Sequence, residues 1–284
     1  MGVSDSTLRW LDGAAAALHG AQALAVIGLT VGVLDRRPRG LFDGGHIAVY
    51  RTATVFNATG GPGGDRRVGS GELDTRWLIA CFFLLSAGFG LCGALLAPGP
   101  GARTLWRFGE YSVSASVMLL AIASQAGIRD VYTLGCQFVL VWVTQVLGVL
   151  AEWAQTDRSP WGWLPPHLAA WVTCVAAYAP VLDCFGLNAA QPENKIPDFV
   201  QTIVFLELAL FASFGLVQTA ALWRKATLIA GRAQAHYPYR PVDKQDSEAQ
   251  LADVDADSEL AYTVLSLAAK SLLAWIVLAP LLAQ

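Results

Sequence analysis

Seven stretches of this chain are long and apolar enough to cross a bilayer as helices: about 13–34, 77–97, 104–127, 131–154, 163–185, 199–223 and 260–283. That pattern leaves little choice of fold class beyond an all-α membrane bundle. Composition agrees, since 55% of the 284 residues are hydrophobic, only 14% are charged, and mean hydropathy is +0.46. Such values belong to a polytopic membrane protein rather than a soluble domain. The first stretch is too long for the apolar core of a signal peptide, and Arg9 is the only base before it, so it reads as a retained helix. Residues 1–284 therefore form a single seven-helix membrane domain, with the lipid membrane as its first partner.

Seven spans put the termini on opposite sides. Apart from Lys270, nine Lys and Arg fall on the N-terminal side and nine on the other, but seven of the second nine lie in one long loop, 35–76. Without that loop the count is nine to two, which favours a cytoplasmic N-terminus and an external C-terminus. A net charge of −3 gives no basis for nucleic-acid binding. The five cysteines form no CxxC pair and sit in or beside apolar segments, where small packing residues are common.

Two loops stand out. In loop 35–76, residues His46 to Asn57 are rich in β-branched and aromatic types, and Gly60-Gly-Pro-Gly-Gly64 follows. This predicts a β-strand or hairpin outside the bilayer and then a flexible return. An exposed strand edge there could pair with a second copy. Asn57-Ala-Thr59 also matches a glycosylation sequon. The second loop, 231–259, turns acidic: Asp243 to Glu259 holds seven acids against one lysine. No glycine occupies the central turn position a calcium loop needs, so this segment reads as a solvated acidic linker.

Charge inside the apolar spans is rare, and Lys270 is the only charged residue between Leu260 and Ala283. A lysine at that depth costs about 2.5 to 3.5 kcal/mol on insertion scales. It is too far from the span's end to snorkel easily, about 15 Å at helical rise. A structural carboxylate partner is one explanation, and a covalent link to a carbonyl cofactor is another, since a desolvated amine is a ready Schiff-base former. Tyr262, Ser266 and Lys270 fall on one helical stripe, while Glu110, Ser114 and Met118 share another with Arg107 one turn before. Arg107 and Glu110 could be a helix-end ion pair, and serines are routine in membrane packing. Together, however, the two stripes supply a carboxylate and hydroxyls for a buried cation.

These residues carry a resemblance. Ser266-Leu-Ala-Ala-Lys270-Ser-Leu-Leu-Ala-Trp275 and Glu110-Tyr-Ser-Val-Ser114-Ala-Ser-Val-Met118 closely resemble the heliorhodopsins, seven-helix retinal proteins. His19-Gly-Ala-Gln22, Leu85-Ser-Ala87, Glu152 and Pro197-Asp-Phe199-Val200 extend a weaker likeness over most of the chain. The resemblance implies a rhodopsin-like bundle with all-trans retinal on Lys270 and Glu110 as counterion. It places Ser114 and Ser266 beside the Schiff base. Tyr111, Met118, Tyr262, Trp142 and Phe211 are further candidates for the pocket, with Trp171, Phe205 and Phe214 as weaker ones. It also implies a cell-membrane protein with an inverted orientation and a homodimer involving the first loop.

The chain departs from the family at Gly90, where a histidine usually lines the Schiff-base cavity, so proton acceptance there must differ. His19 or water could serve, although His19 could equally be a hydrogen-bonded core residue. Glu207 stands where an apolar residue is expected in the sixth span, and solvation at helix ends accounts for Glu152 and Asp183. The implied function is a photoreceptor with a slow photocycle and no ordinary ion pumping, read by an unknown signalling or enzyme partner. The absences fit that reading: Ala121 stands eleven residues after Glu110, and Ser266 one turn before the lysine, where pumps usually carry carboxylates. A light-driven or light-gated proton transporter using Glu110 and Glu207, with His19 and Arg107 on the path, is the alternative. An enzyme is disfavoured, since the four histidines are scattered and no metal site or nucleophile motif appears.

Overall fold

A computed structural model describes residues 5–33, 46–56, 62–96, 100–191, 196–235 and 244–283. Seven helices and one hairpin follow in order: α1 (Asp5–Gly32), β1 (His46–Phe56), β2 (Pro62–Asp74), α2 (Thr75–Leu96), α3 (Pro100–Ala126), α4 (Val131–Ala154), α5 (Leu164–Ala189), α6 (Asp198–Ala235) and α7 (Lys244–Ala283). Consecutive helices pack antiparallel, and α7 closes the bundle against α1. One end therefore carries the N-terminus, here the N-terminal face, and the other carries β1–β2, the hairpin face.

Six of the seven helices are long and apolar enough to cross a membrane by length and composition, and α3 is the exception among the described residues. The cause is its cargo. Four serines, Glu110, Arg103 and Arg107 dilute its hydropathy, so α3 is a spanning helix only because its neighbours cover that polarity.

The hairpin pairs antiparallel with His46 opposite Asp74 and Tyr50 opposite Ser70, and the register shifts after Tyr50. The glycine-rich segment expected to return flexibly is thus largely a strand, beginning at Pro62. Arg76, 2% exposed, staples this strand to α2. Its guanidinium donates to both Asp74 oxygens (2.7–3.2 Å) and meets His46 Nε2 at 2.8 Å. Tyr50 N–H donates to Arg129 O at 3.0 Å, seating the hairpin on the α3–α4 turn. Gly127 makes that turn at φ +109°, where a Cβ would also lie 2.6 Å from Asn188 Nδ2. The Asn57 sequon lies outside the described residues.

The second loop corrects the sequence reading. Of the expected linker 231–259, residues 231–235 belong to α6 and 244–259 are the first four turns of α7, while 236–243 lie outside the described residues. Alanine, leucine and valine between the acids permit a helix, and Val254 is buried. The acids also find bases on α6: Lys225 pairs with Asp255, and Arg224 meets Asp257 at 3.4 Å. At 1.5 Å per residue, α6 and α7 run for roughly 57 and 60 Å, so they project past a hydrocarbon layer of about 30 Å at the N-terminal face.

The core is unevenly distributed. Ile79, Phe82, Phe83, Leu119, Ile122, Leu273 and Val277 form one apolar cluster in the hairpin-side half. A much smaller cluster, Ala151, Trp163, Leu222 and Ala226, serves the other half. The polar residues of α3 and α7 lie mostly between the two. Cys81, Cys92 and Cys136 point outward rather than into this packing.

Candidate functional site

The α7 stripe Glu259, Tyr262, Ser266 and Lys270 faces the α3 stripe Arg107, Glu110, Tyr111 and Ser114. Lys270 is 2% exposed, and its Nζ donates to Glu110 Oε1 and to Ser266 Oγ (2.8 Å). Ser86 Oγ and Ser114 Oγ donate to the same Glu110 oxygen at 2.6 and 3.3 Å. The Tyr111 ring lies 5.2 Å from Nζ, and its hydroxyl donates to Tyr262 O at 3.1 Å. A buried ammonium is tolerable only when charge and hydrogen bonds are both met; here the Glu110 carboxylate meets the charge and accepts from the amine together with Ser266 Oγ, while Ser86 and Ser114 donate to that carboxylate.

The amine lines a cavity among α3 to α7. Tyr111, Ser114, Met118, Tyr262, Ser266 and Lys270 form its α3 and α7 wall, and Val141, Trp171, Cys174, Phe211, Phe214 and Gly215 line the α4 to α6 side. Arg107 and His167 close it toward the N-terminal face. Trp142 is not on this wall. It is 45% exposed, because its neighbours Val141 and Gln145 take the inward stripe of α4 and Trp142 is turned about 100° away. Phe205 also faces outward, edge-on to Phe185.

Arg107 does not pair with Glu110. Its guanidinium bonds Glu152 Oε1 at 2.7 Å and Glu259 Oε1, and it lies over the Tyr262 ring at 4.3 Å. Glu152 also accepts from Thr104 at 3.0 Å, so solvation at a helix end is not its role. His19 is buried, in ring contact with Phe83 at 5.6 Å, and within electrostatic reach of Lys270 and Glu110. Glu207 is fully buried, with no hydrogen-bond partner on either oxygen among the described residues, and lines neither this cavity nor the one beside Glu110.

A family model described as heliorhodopsin matches residues 8–227, well over half of the chain. The chain belongs to the heliorhodopsin family. No curated protein matches it significantly. Membership makes it a retinal-binding, light-sensing membrane protein of the rhodopsin type. The heliorhodopsin match stops inside α6, so α7 lies beyond it, and Lys270 joins the site through its bond to Glu110.

An apolar, aromatic cavity with one amine in its wall, a carboxylate beside that amine and hydroxyls around both suits a heliorhodopsin chromophore. Ser86 was not singled out as a site residue from sequence, although it is the only hydroxyl in α2 after the first turn. Gln22 was also passed over, and it donates to Ser271 at 2.8 Å, one residue past the lysine. At Gly90 an added Cβ would lie 3.0 Å from Ala16 Cβ and 3.4 Å from Asp12 O. A side chain at this position would therefore press on α1.

Proposed function

We propose that this heliorhodopsin is a photoreceptor that carries all-trans retinal on Lys270 and passes on a slow conformational signal without pumping ions. Retinal, when bound to the lysine amine, supplies visible absorption and a light-driven isomerisation. The chain's own residues do the rest. Glu110 supplies the negative charge beside the amine, with Ser86, Ser114 and Ser266 filling the remaining hydrogen-bond positions. Met118, Phe211 and Phe214 give an apolar sleeve that excludes water. The observation that carries the reading is the buried Lys270–Glu110 pair, whose lysine lines that cavity.

The cytoplasmic N-terminus, the cell-membrane location, the unidentified signalling partner and a homodimer through the hairpin's free edges belong to the same proposal. Cells expressing the protein with all-trans retinal should yield coloured membranes. Lys270→Ala should be colourless, while Lys225→Ala, on the projecting part of α6, should keep the pigment. Undiminished colour in the Lys270 variant would end this reading. Passive proton conduction through Glu207 is the second reading, favoured only by that carboxylate's burial without a partner.

A further inference from the structure

Trp171 of α5 and Gly215 of α6 lie together on the side of the cavity away from Lys270. The indole rests directly on the glycine: a Cβ added at Gly215 would stand 2.6 Å from Trp171 Cζ2 and 2.9 Å from Cη2. Carbons do not approach that closely, so any side chain at 215 must displace the ring. Phe108, on the same cavity, is recessed over Gly148 of α4 in a similar way, its Cε1 2.5 Å from an added Cβ. The Trp171 seat differs in being held by polar bonds.

Trp171 Nε1 donates at 3.1 Å to His167 Nε2, one turn earlier on α5. An indole N–H can only donate, so Nε2 offers it a lone pair and the imidazole proton sits on Nδ1. Thr219 Oγ1 lies 2.7 Å from that same Nε2 and 2.7 Å from Gly215 O, so its one proton has two acceptors. Trp171, His167, Thr219 and Gly215 thus close a loop at i and i+4 on both helices, where α5 and α6 otherwise touch sparsely. His167 is 3% exposed, edge-on to the Trp163 ring at 5.3 Å and within hydrogen-bonding reach of Gln218, which makes it a firm anchor.

We propose that Gly215 determines the size of the chromophore this cavity accepts, by seating the Trp171 indole that His167 and Thr219 hold against α6. The ring is tethered at its N–H edge, so a side chain at 215 swings the opposite edge, which lines the cavity, into the space a long polyene would fill. Gly215 and His167 are in this sense positioning residues: they act on the ligand through Trp171. The selected class is a polyene aldehyde as long as retinal, over shorter ones with the same ring. This deepens the retinal reading and rests on it for its first test.

The unaltered protein and its variants are offered an equal mixture of all-trans retinal and β-ionylidene acetaldehyde, which is one isoprene unit shorter. Borohydride reduction and mass spectrometry then count which aldehyde is attached, with Lys270→Ala as the blank. Gly215→Ala should shift the preference toward the shorter aldehyde by roughly tenfold or more. Trp171→Phe in the same chain should return the preference toward retinal, because the smaller ring leaves room for the added methyl. An unchanged preference in Gly215→Ala would overturn the inference, and so would a loss of retinal that Trp171→Phe does not relieve. A second measurement needs no ligand: the Raman band of the indole N–H, isolated by difference against Trp171→Phe. In the retinal-free protein it should report a hydrogen-bonded indole, and it should move toward the free N–H position in both Gly215→Ala and His167→Leu. If the unaltered chain takes up neither aldehyde, the proposed function fails and this band decides the inference: a band unmoved in either variant refutes it.

Discussion

Replacing Arg107 by methionine keeps much of the side chain's aliphatic length and deletes its charge. Glu152 and Glu259, with side chains 15% and 21% exposed, are then left facing each other without the cation. Breaking a buried pair from one side costs about 3–5 kcal/mol, and partial exposure of these carboxylates puts the cost near the lower figure, about 3 kcal/mol. At about 2–4 °C per kcal/mol for a chain of this size, the thermal midpoint should fall by roughly 6–12 °C. The matched control is Arg224→Met, which deletes an ion pair on the same α6–α7 extension. There the partners meet at 3.4 Å with side chains 58% and 52% exposed. Exposed pairs contribute about 0–1 kcal/mol, so the control should move by no more than a few degrees. Melting of the purified protein in one detergent, with and without retinal, measures both. Equal shifts in the two variants would refute the reasoning, because burial would then not be what sets the cost.

Glu110→Gln removes the negative charge beside the lysine, which weakens the preference of positive charge for the nitrogen end of a bound polyene. Absorption should move to longer wavelength at a pH where the pigment stays protonated, and an unmoved band would shift the counterion role to another acid. Trp171→Ala should change the absorption band, whereas Trp142→Ala, outside the cavity, should leave it in place; visible spectra of the two purified variants decide this. Glu207→Leu should raise stability by about 1–3 kcal/mol, because a buried carboxylate without partners is removed. Voltage-clamped cells expressing the unaltered chain should show no steady photocurrent at zero driving force. A current that reverses with the proton gradient and vanishes in Glu207→Gln would establish conduction instead.

The helices were legible because a bilayer imposes one length and one chemistry on every span, and the hairpin because β-branched residues cluster at 46–56. Lys270, Glu110, Ser114 and Ser266 were legible because polarity inside an apolar span is costly enough to stand out. The rest depended on partners far apart in sequence. Asp243 to Glu259 looks like a linker in sequence, but Asp255 and Asp257 lie beside Lys225 and Arg224 of α6, and nothing local to either segment announces that pairing. Glu152 and Glu259 look solvated until Arg107 is placed between them. Trp142 and Phe205 illustrate the opposite error: in a membrane, an aromatic residue is as content against lipid as inside the bundle, so type alone does not reveal which way it faces.

The continuity of α7 has a mechanical consequence. Lys270 and Asp253 belong to one unbroken helix, 17 residues apart, or roughly 25 Å along its axis. A tilt of about 5° pivoting near the lysine would carry the far end through about 2 Å by that same rise. The ion pairs to Arg224 and Lys225 would drag α6 with it. The bundle thus has a long lever running from the buried lysine to beyond the hydrocarbon layer, where a displacement too small to open a channel is still large enough for another protein to feel.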